Sequence, residues 1–108
     1  MATARVPQPM TDDPVKVDPK HYRVEFENER VRVLRIKYGP GEKSVMHSHP
    51  ESIAVFLTDT HGKFTYPDGR SEDINANAGT VQHMDAFTHL PESSSKAPFE
   101  VIAVELKR

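Results

Sequence analysis

From His21 onward, hydrophobic residues recur with a period of two. In "HYRVEF", Tyr22, Val24 and Phe26 alternate with charged neighbours, as on a half-buried strand. "RVRVLRIKY", from Arg30 to Tyr38, continues as a strand but changes parity. Val31 and Val33 point one way, whereas Leu34, Ile36 and Tyr38 point the other, so a bulge is expected near Val33–Leu34. The interleaved Arg30, Arg32, Arg35 and Lys37 read as a solvated strand face that also protects an edge from self-association. A short strand in "SVMHSH" follows, then an apolar central strand in "SIAVFLT" and a hairpin in "GKFTYPDGRSEDI" that turns at Pro67-Asp68-Gly69. "TVQHM", "THL" and the buried run "FEVIAVEL" complete the series, with "DAF" as a turn and "PESSSKAP" as a loop. No segment carries two turns of helical periodicity. Eight or nine short strands at roughly ten-residue spacing predict an all-β sandwich or barrel.

Residues 1–20 break this pattern. They hold four of the nine prolines and no aliphatic run, which predicts an extended or flexible arm ahead of a barrel domain over 21–108. The length of 108 residues allows one hydrophobic core and not two. A formal charge of −2 without a block of one sign gives no basis for binding nucleic acid. Zero cysteines exclude disulfides, thiolate metal sites and cysteine nucleophiles, which fits a reducing compartment. No apolar run reaches the ~18 residues of a membrane span, and the N-terminus lacks the apolar core of a secretory signal, so a cytoplasmic protein is expected. Exposed edge strands on a small open barrel favour pairing of two copies. A homodimer is therefore expected, with the arm as the segment to be exchanged.

The chemistry concentrates in "GEKSVMHSHPES", residues 41–52. Residues i and i+2 on a strand share a face, so His47 and His49 point together and their ring nitrogens can converge on one ion. His89 lies on a different predicted strand and supplies a third imidazole. Two ligands from one strand and a third from across the barrel make a facial set with open positions, as a catalytic ion requires.

These residues resemble the cupin superfamily. Gly41, five residues, His47, Ser48 and His49 match the first half of its G-x5-H-x-H-x3–4-E-x6-G motif, and "GTVQHMDAFTHLPES" stands in place of its second motif. "HSHPESIAVFLTD", "PDG" and "THLPE" look, more narrowly, like small single-domain bacterial cupins of uncharacterised function. The resemblance implies a double-stranded β-helix, or jelly-roll barrel, holding a divalent ion inside on His47, His49 and His89. The motif's glutamate falls at position 53 or 54, where this chain has Ile53 and Ala54. The remaining three-histidine set is similar to the iron site of thiol dioxygenases. Three neutral imidazoles leave a divalent ion at +2, a stronger Lewis acid than one that also carries a carboxylate. Iron, manganese, zinc and nickel are not distinguished by these ligands. The implied function is metal-dependent oxidation of a small organic molecule, of dioxygenase type. The alternative is a non-catalytic small-ligand binder whose metal is structural or absent.

Other polar residues are weighed beside these. Glu51 either substitutes for the missing carboxylate or sits on the rim, and Glu92, three residues after His89, has the same two readings. His83 is a pocket-lining residue or ordinary barrel packing, and Gln82 replaces it as the pocket's polar group if the opposite strand face points inward. His21 and His61 read as surface histidines. Met46, Phe56, Phe64, Met84 and Phe87 read as core or pocket wall, which is the apolar lining that a small-molecule site requires. No Gly-rich phosphate loop, no G-x-S-x-G elbow and no Ser–His–Asp arrangement is present, so covalent nucleophilic catalysis has no support.

Overall fold

The computed structural model describes residues 12–107. One short helix, α1 (Pro14–Val17), precedes nine strands: β1 (Tyr22–Glu27), β2 (Val31–Tyr38), β3 (His47–His49), β4 (Ser52–Phe56), β5 (Thr60–Thr65), β6 (Ser71–Ala76), β7 (Val81–Met84), β8 (Phe87–Ser93) and β9 (Phe99–Leu106). They form a five-stranded sheet in the order β1-β2-β9-β4-β7 and a four-stranded sheet in the order β3-β8-β5-β6. Every strand pair is antiparallel. Facing each other, the two sheets make the barrel that the alternating pattern predicts. Among the described residues, no helix is long and apolar enough to cross a membrane.

The core lies between the sheets. Leu34, Ile36 and Tyr38 of β2, Ala54 and Phe56 of β4, and Phe99, Val101 and Ala103 of β9 share one inward face with Tyr22. Burying a side chain such as Leu34, fully enclosed here, contributes about 1.5–3 kcal/mol. Tyr22 and Tyr38 join their hydroxyls at 2.6 Å inside this core, and burial raises the pKa of both phenols, so each stays neutral. Ala54 and Ala103 are cross-strand partners. Their small side chains leave open the interior space in which the site is built.

Along three adjacent strands the inward face changes character at one end. Leu34 gives way to Arg32, Ala103 to Glu105 and Ala54 to Ser52, and these polar residues are direct neighbours across the sheet, in the pairs Arg32↔Glu105 and Ser52↔Glu105. The barrel is therefore apolar in its middle and polar at the end that receives the histidines.

The structure corrects several expectations. The bulge lies on β1 rather than at Val33–Leu34. Val24 pairs with Leu34 and Phe26 with Val33, which leaves Glu25 as the extra residue. An extra residue in the partner strand restores the register across the ladder just as one in β2 would. Glu25 uses its displaced position to pair with Arg35. Arg32 does not belong to a solvated face, since it points inward and is mostly buried. Part of the expected arm is packed: Asp13, Pro14 and Asp18 are buried, and α1 starts from an Asp13 cap with Pro14 in its first turn. Residues 1–11 of that arm lie outside the described residues. The "PES" stretch continues β8 instead of starting a loop.

Two glycines have structural reasons. Gly69 takes φ +90° to close the Pro67–Arg70 turn between β5 and β6. Gly62 passes so close to β8 that a Cβ there would lie 2.7 Å from the Glu92 carbonyl oxygen. Both groups belong to paired backbone, so neither yields cheaply. Gly62→Ala is therefore expected to cost about 1–3 kcal/mol, measured as a lower urea midpoint; an unchanged midpoint would contradict this packing.

Candidate metal centre

Two strands carry the site. On β3, His47 and His49 share the inward face and are both buried, with Ser48 between them. His89 of β8 pairs directly with His47 across the ladder. The third imidazole thus comes from the adjacent strand, not from across the barrel. One nitrogen from each of the three rings lies within 4.8 Å of the others. The rings meet edge to face, with centroids 4.8–5.2 Å apart. Tyr22 closes the floor, its ring 4.8 Å from that of His47.

The hydrogen bonds fix which nitrogen each ring presents. His47 donates from Nδ1 to the Val45 carbonyl at 2.8 Å, and His49 donates from Nδ1 to Glu105 Oε2 at 2.9 Å. With both protons on Nδ1, the two Nε2 atoms carry lone pairs, yet they face each other at 3.1 Å. Two lone pairs at that distance repel unless a proton or a metal cation lies between them. Ligand atoms about 2.0–2.1 Å from one ion stand about 3.0–3.4 Å apart, which matches. In His89, neither ring nitrogen has a hydrogen-bond partner among the described residues, although both are buried. Buried nitrogens without partners are costly and call for an explanation. The donor set therefore fits a divalent ion held by three neutral imidazoles.

Electrostatics favour the neutral rings. Burial, and then the neighbouring His49, lower the pKa of His47 to about 4. The same causes, joined by His47, push that of His89 lower still.

Polar neighbours surround the histidines on the side away from the barrel centre. Glu105 is 2% exposed and binds both His49 and Arg32. Arg32 also binds Asp13, and that bond holds the Asp13 carboxyl below its usual range. His21 is not a surface histidine. It is buried, stacks on Tyr38 at 4.2 Å and sits between Asp18 and Glu42. Asp18 accepts a hydrogen bond from Ser44, whose hydroxyl lies 3.4 Å from His47 Nδ1.

The other expected residues fall outside this centre. Glu51 contacts His83 at 2.7 Å on the outer side of the sheet, and together with Asp85 they form a second, largely exposed group. Neither Glu51 nor His83 reaches the three histidines. Glu92 alternates outward on β8 and faces Lys63 at 3.7 Å. Gln82, with the inward parity of Met84, and His83, in its expected pocket-lining role, both line a cavity of about 270 Å³ at the seam between the edge strands β6 and β7. His61 is exposed, as expected, and bonds Asn75. Ala54 occupies an inward position where the resemblance places a carboxylate, and its methyl group faces the chamber.

That chamber, about 80 Å³, lies beside His49 and His89, with Phe56, Phe64, Met84 and Phe87 among its walls. The seam cavity shares these four residues as walls.

Reading the sequence alone missed Asp13, Arg32, Glu105 and His21. For Arg32 and Glu105 a signal exists: both keep the inward parity of strands whose other inward residues are apolar.

No protein-family model and no curated protein matches this chain. Solved structures do. A cupin domain from Bordetella pertussis Tohama I superimposes with a TM-score of 0.74 at 24% identity, over 81% of this chain and 92% of that one. An uncharacterised conserved protein with a double-stranded β-helix domain from Klebsiella pneumoniae gives a TM-score of 0.63 at 18% identity, over 79% and 74%. Oxalate decarboxylase from Bacillus subtilis, described with Mn(II) centres, gives 0.58 at 18% identity, over 73% of this chain and 22% of that one. These likenesses establish the fold: the chain is a double-stranded β-helix of the cupin type. Fold and histidine cluster together fit a metal-binding cupin.

The depressed histidine pKa values have a consequence for stability. Below pH 6.5 the unfolded chain takes up protons that the buried rings refuse, so metal-free protein loses stability as the pH falls from 6.5 toward about 4. For His47 alone the loss is about 2 kcal/mol at pH 5. Thermal melts of chelator-treated protein at pH 7.5 and pH 5 measure it; equal midpoints would contradict neutral burial.

Proposed function

We propose that this protein holds one divalent metal ion on His47, His49 and His89 and uses it on a small organic molecule admitted through the β6–β7 seam. The observation that carries the reading is the convergence of three buried imidazoles, two with Nε2 atoms facing each other at 3.1 Å and a third with no partner at either nitrogen among the described residues. Bound there, such an ion would supply Lewis acidity and, if redox-active, a site for dioxygen. Imidazole donors suit several first-row metals, so identity among iron, manganese, zinc and nickel is left to analysis.

The protein's own residues do the rest. His47 and His49 are locked by their Nδ1 bonds and aim Nε2 inward. Tyr22 and the phenylalanine walls exclude water, and Ala54 leaves room for a ligand where a larger side chain would project. The walls beside His49 and His89 select a small apolar or aromatic body. Because three neutral imidazoles do not offset the charge of the ion, an anionic or chelating head group is favoured. Dioxygenase-type chemistry fits, since both oxygen atoms enter the substrate and no external reductant is needed. Ala54 also supports a second reading, in which the same pocket binds a small molecule without turning it over.

Metal analysis of protein purified without added nickel or zinc tests the centre. Wild type is expected to retain about one ion per chain, and His89→Ala to retain less than a tenth of that with its far-ultraviolet circular dichroism unchanged. Equal metal content in the variant would rule out this ligand set. Oxygen consumption on a panel of small thiols, diketones and phenols separates the two readings: uptake that depends on His89 supports the enzyme, whereas binding without uptake supports the binder.

A further inference from the structure

We propose that Asp13, Arg32 and Glu105 are positioning residues for His49, so that the segment ahead of the barrel completes the metal centre. The inference rests on the three-histidine reading above. It starts from an unbroken chain of contacts. Glu105 accepts from His49 Nδ1 on one oxygen, at 2.9 Å, and from Arg32 Nε on the other, also at 2.9 Å. Arg32 turns its remaining two nitrogens to both oxygens of Asp13, at 2.8 and 2.9 Å. Asp13 is anchored in turn, because one of its oxygens caps α1 by accepting from the Val15 amide at 3.1 Å. The residue before it reaches β3 directly: the Asp12 carbonyl accepts from the amide of Ser48, between the two histidines, at 2.9 Å. One short segment thus grips the histidine strand twice, by its backbone and through the side-chain chain.

Packing alone does not explain these residues. Position 105 continues the inward row Phe99, Val101, Ala103, where an apolar residue would close the core without desolvating a carboxylate. Buried ion pairs contribute little to stability beside apolar replacements of similar volume. Two carboxylates and one guanidinium also leave a net charge of −1 behind His49. An ion on the far nitrogen of His49 balances that charge, and the carboxylate raises the electron-donating power of the imidazole that holds it. The arrangement also fixes the proton on Nδ1, which leaves Nε2 free to ligate.

Cobalt(II) titration, followed by visible absorption, tests this in the full chain. Glu105→Gln is expected to weaken cobalt binding 10–100-fold. Asp13→Asn should weaken it by a smaller factor and alter the cobalt spectrum. In the double variant, Asp13→Asn should add nothing, because it acts only through Glu105. If Glu105→Gln does not fold, Asp13→Asn alone decides, read by the long-range ¹H–¹⁵N spectrum of His49 in metal-free protein: the wild type is expected as the Nδ1–H tautomer and the variant as a mixture. Wild-type cobalt affinity in both single variants, full additivity in the double, or an unmoved His49 spectrum would overturn the inference while leaving the metal centre intact. Wild-type protein that takes up no cobalt would overturn the three-histidine reading, and the inference with it.

Discussion

Desolvation of three imidazoles is the constraint on which the structure turns. His47, His49 and His89 are buried together, and burial disfavours a proton on His47 and His89. Neutral rings must present lone pairs, and lone pairs enclosed by protein need a donor or a cation. Among the described residues, His89 has no partner, and the Nε2 atoms of His47 and His49 have each other. A cation where the three rings converge would take one lone pair from each. The surrounding fold reads as the machinery that keeps these nitrogens convergent and water out.

That machinery is built from strand parity. The period of two puts His47 and His49 on one face, and antiparallel pairing sets His89 opposite His47. On the facing sheet, Ala54 and Ala103 make space, while Ser52, Glu105 and Arg32 form a polar row at the end of the barrel where the histidines lie. The sheets part at the β6–β7 edge, and there the wall opens into a cavity that shares its aromatic lining with the chamber beside His49 and His89.

Local alternation was sufficient to read the strands, the hairpin at Pro67–Gly69 and the shared face of His47 and His49, because each depends on spacing along the chain, whereas His89 was joined to them by the resemblance to the cupin motif. What depends on a distant partner was not legible. Arg32 shares the parity of Leu34 and Ile36, but the bulge expected after Val33 and its likeness to the exposed Arg30 and Lys37 hid that it points inward, which its pairing with Glu105 shows. His21 is buried because α1 and its flanking aspartates fold over it, an event hidden by the proline-rich composition of that segment. The bulge was foreseen from the parity change at Val33–Leu34 but placed on the wrong strand, since the sequence of one strand cannot show which partner holds the extra residue. Glu51 and Glu92 sat close to the histidines in sequence, yet alternation and the turn at Pro50 carry both away from the site.

X-ray absorption at the edge of whichever metal co-purifies with the protein tests the central claim most directly. Three imidazole nitrogens at about 2.0–2.1 Å, with the multiple scattering of rigid rings, are the expected signature. A spectrum of oxygen scatterers without ring scattering would contradict it.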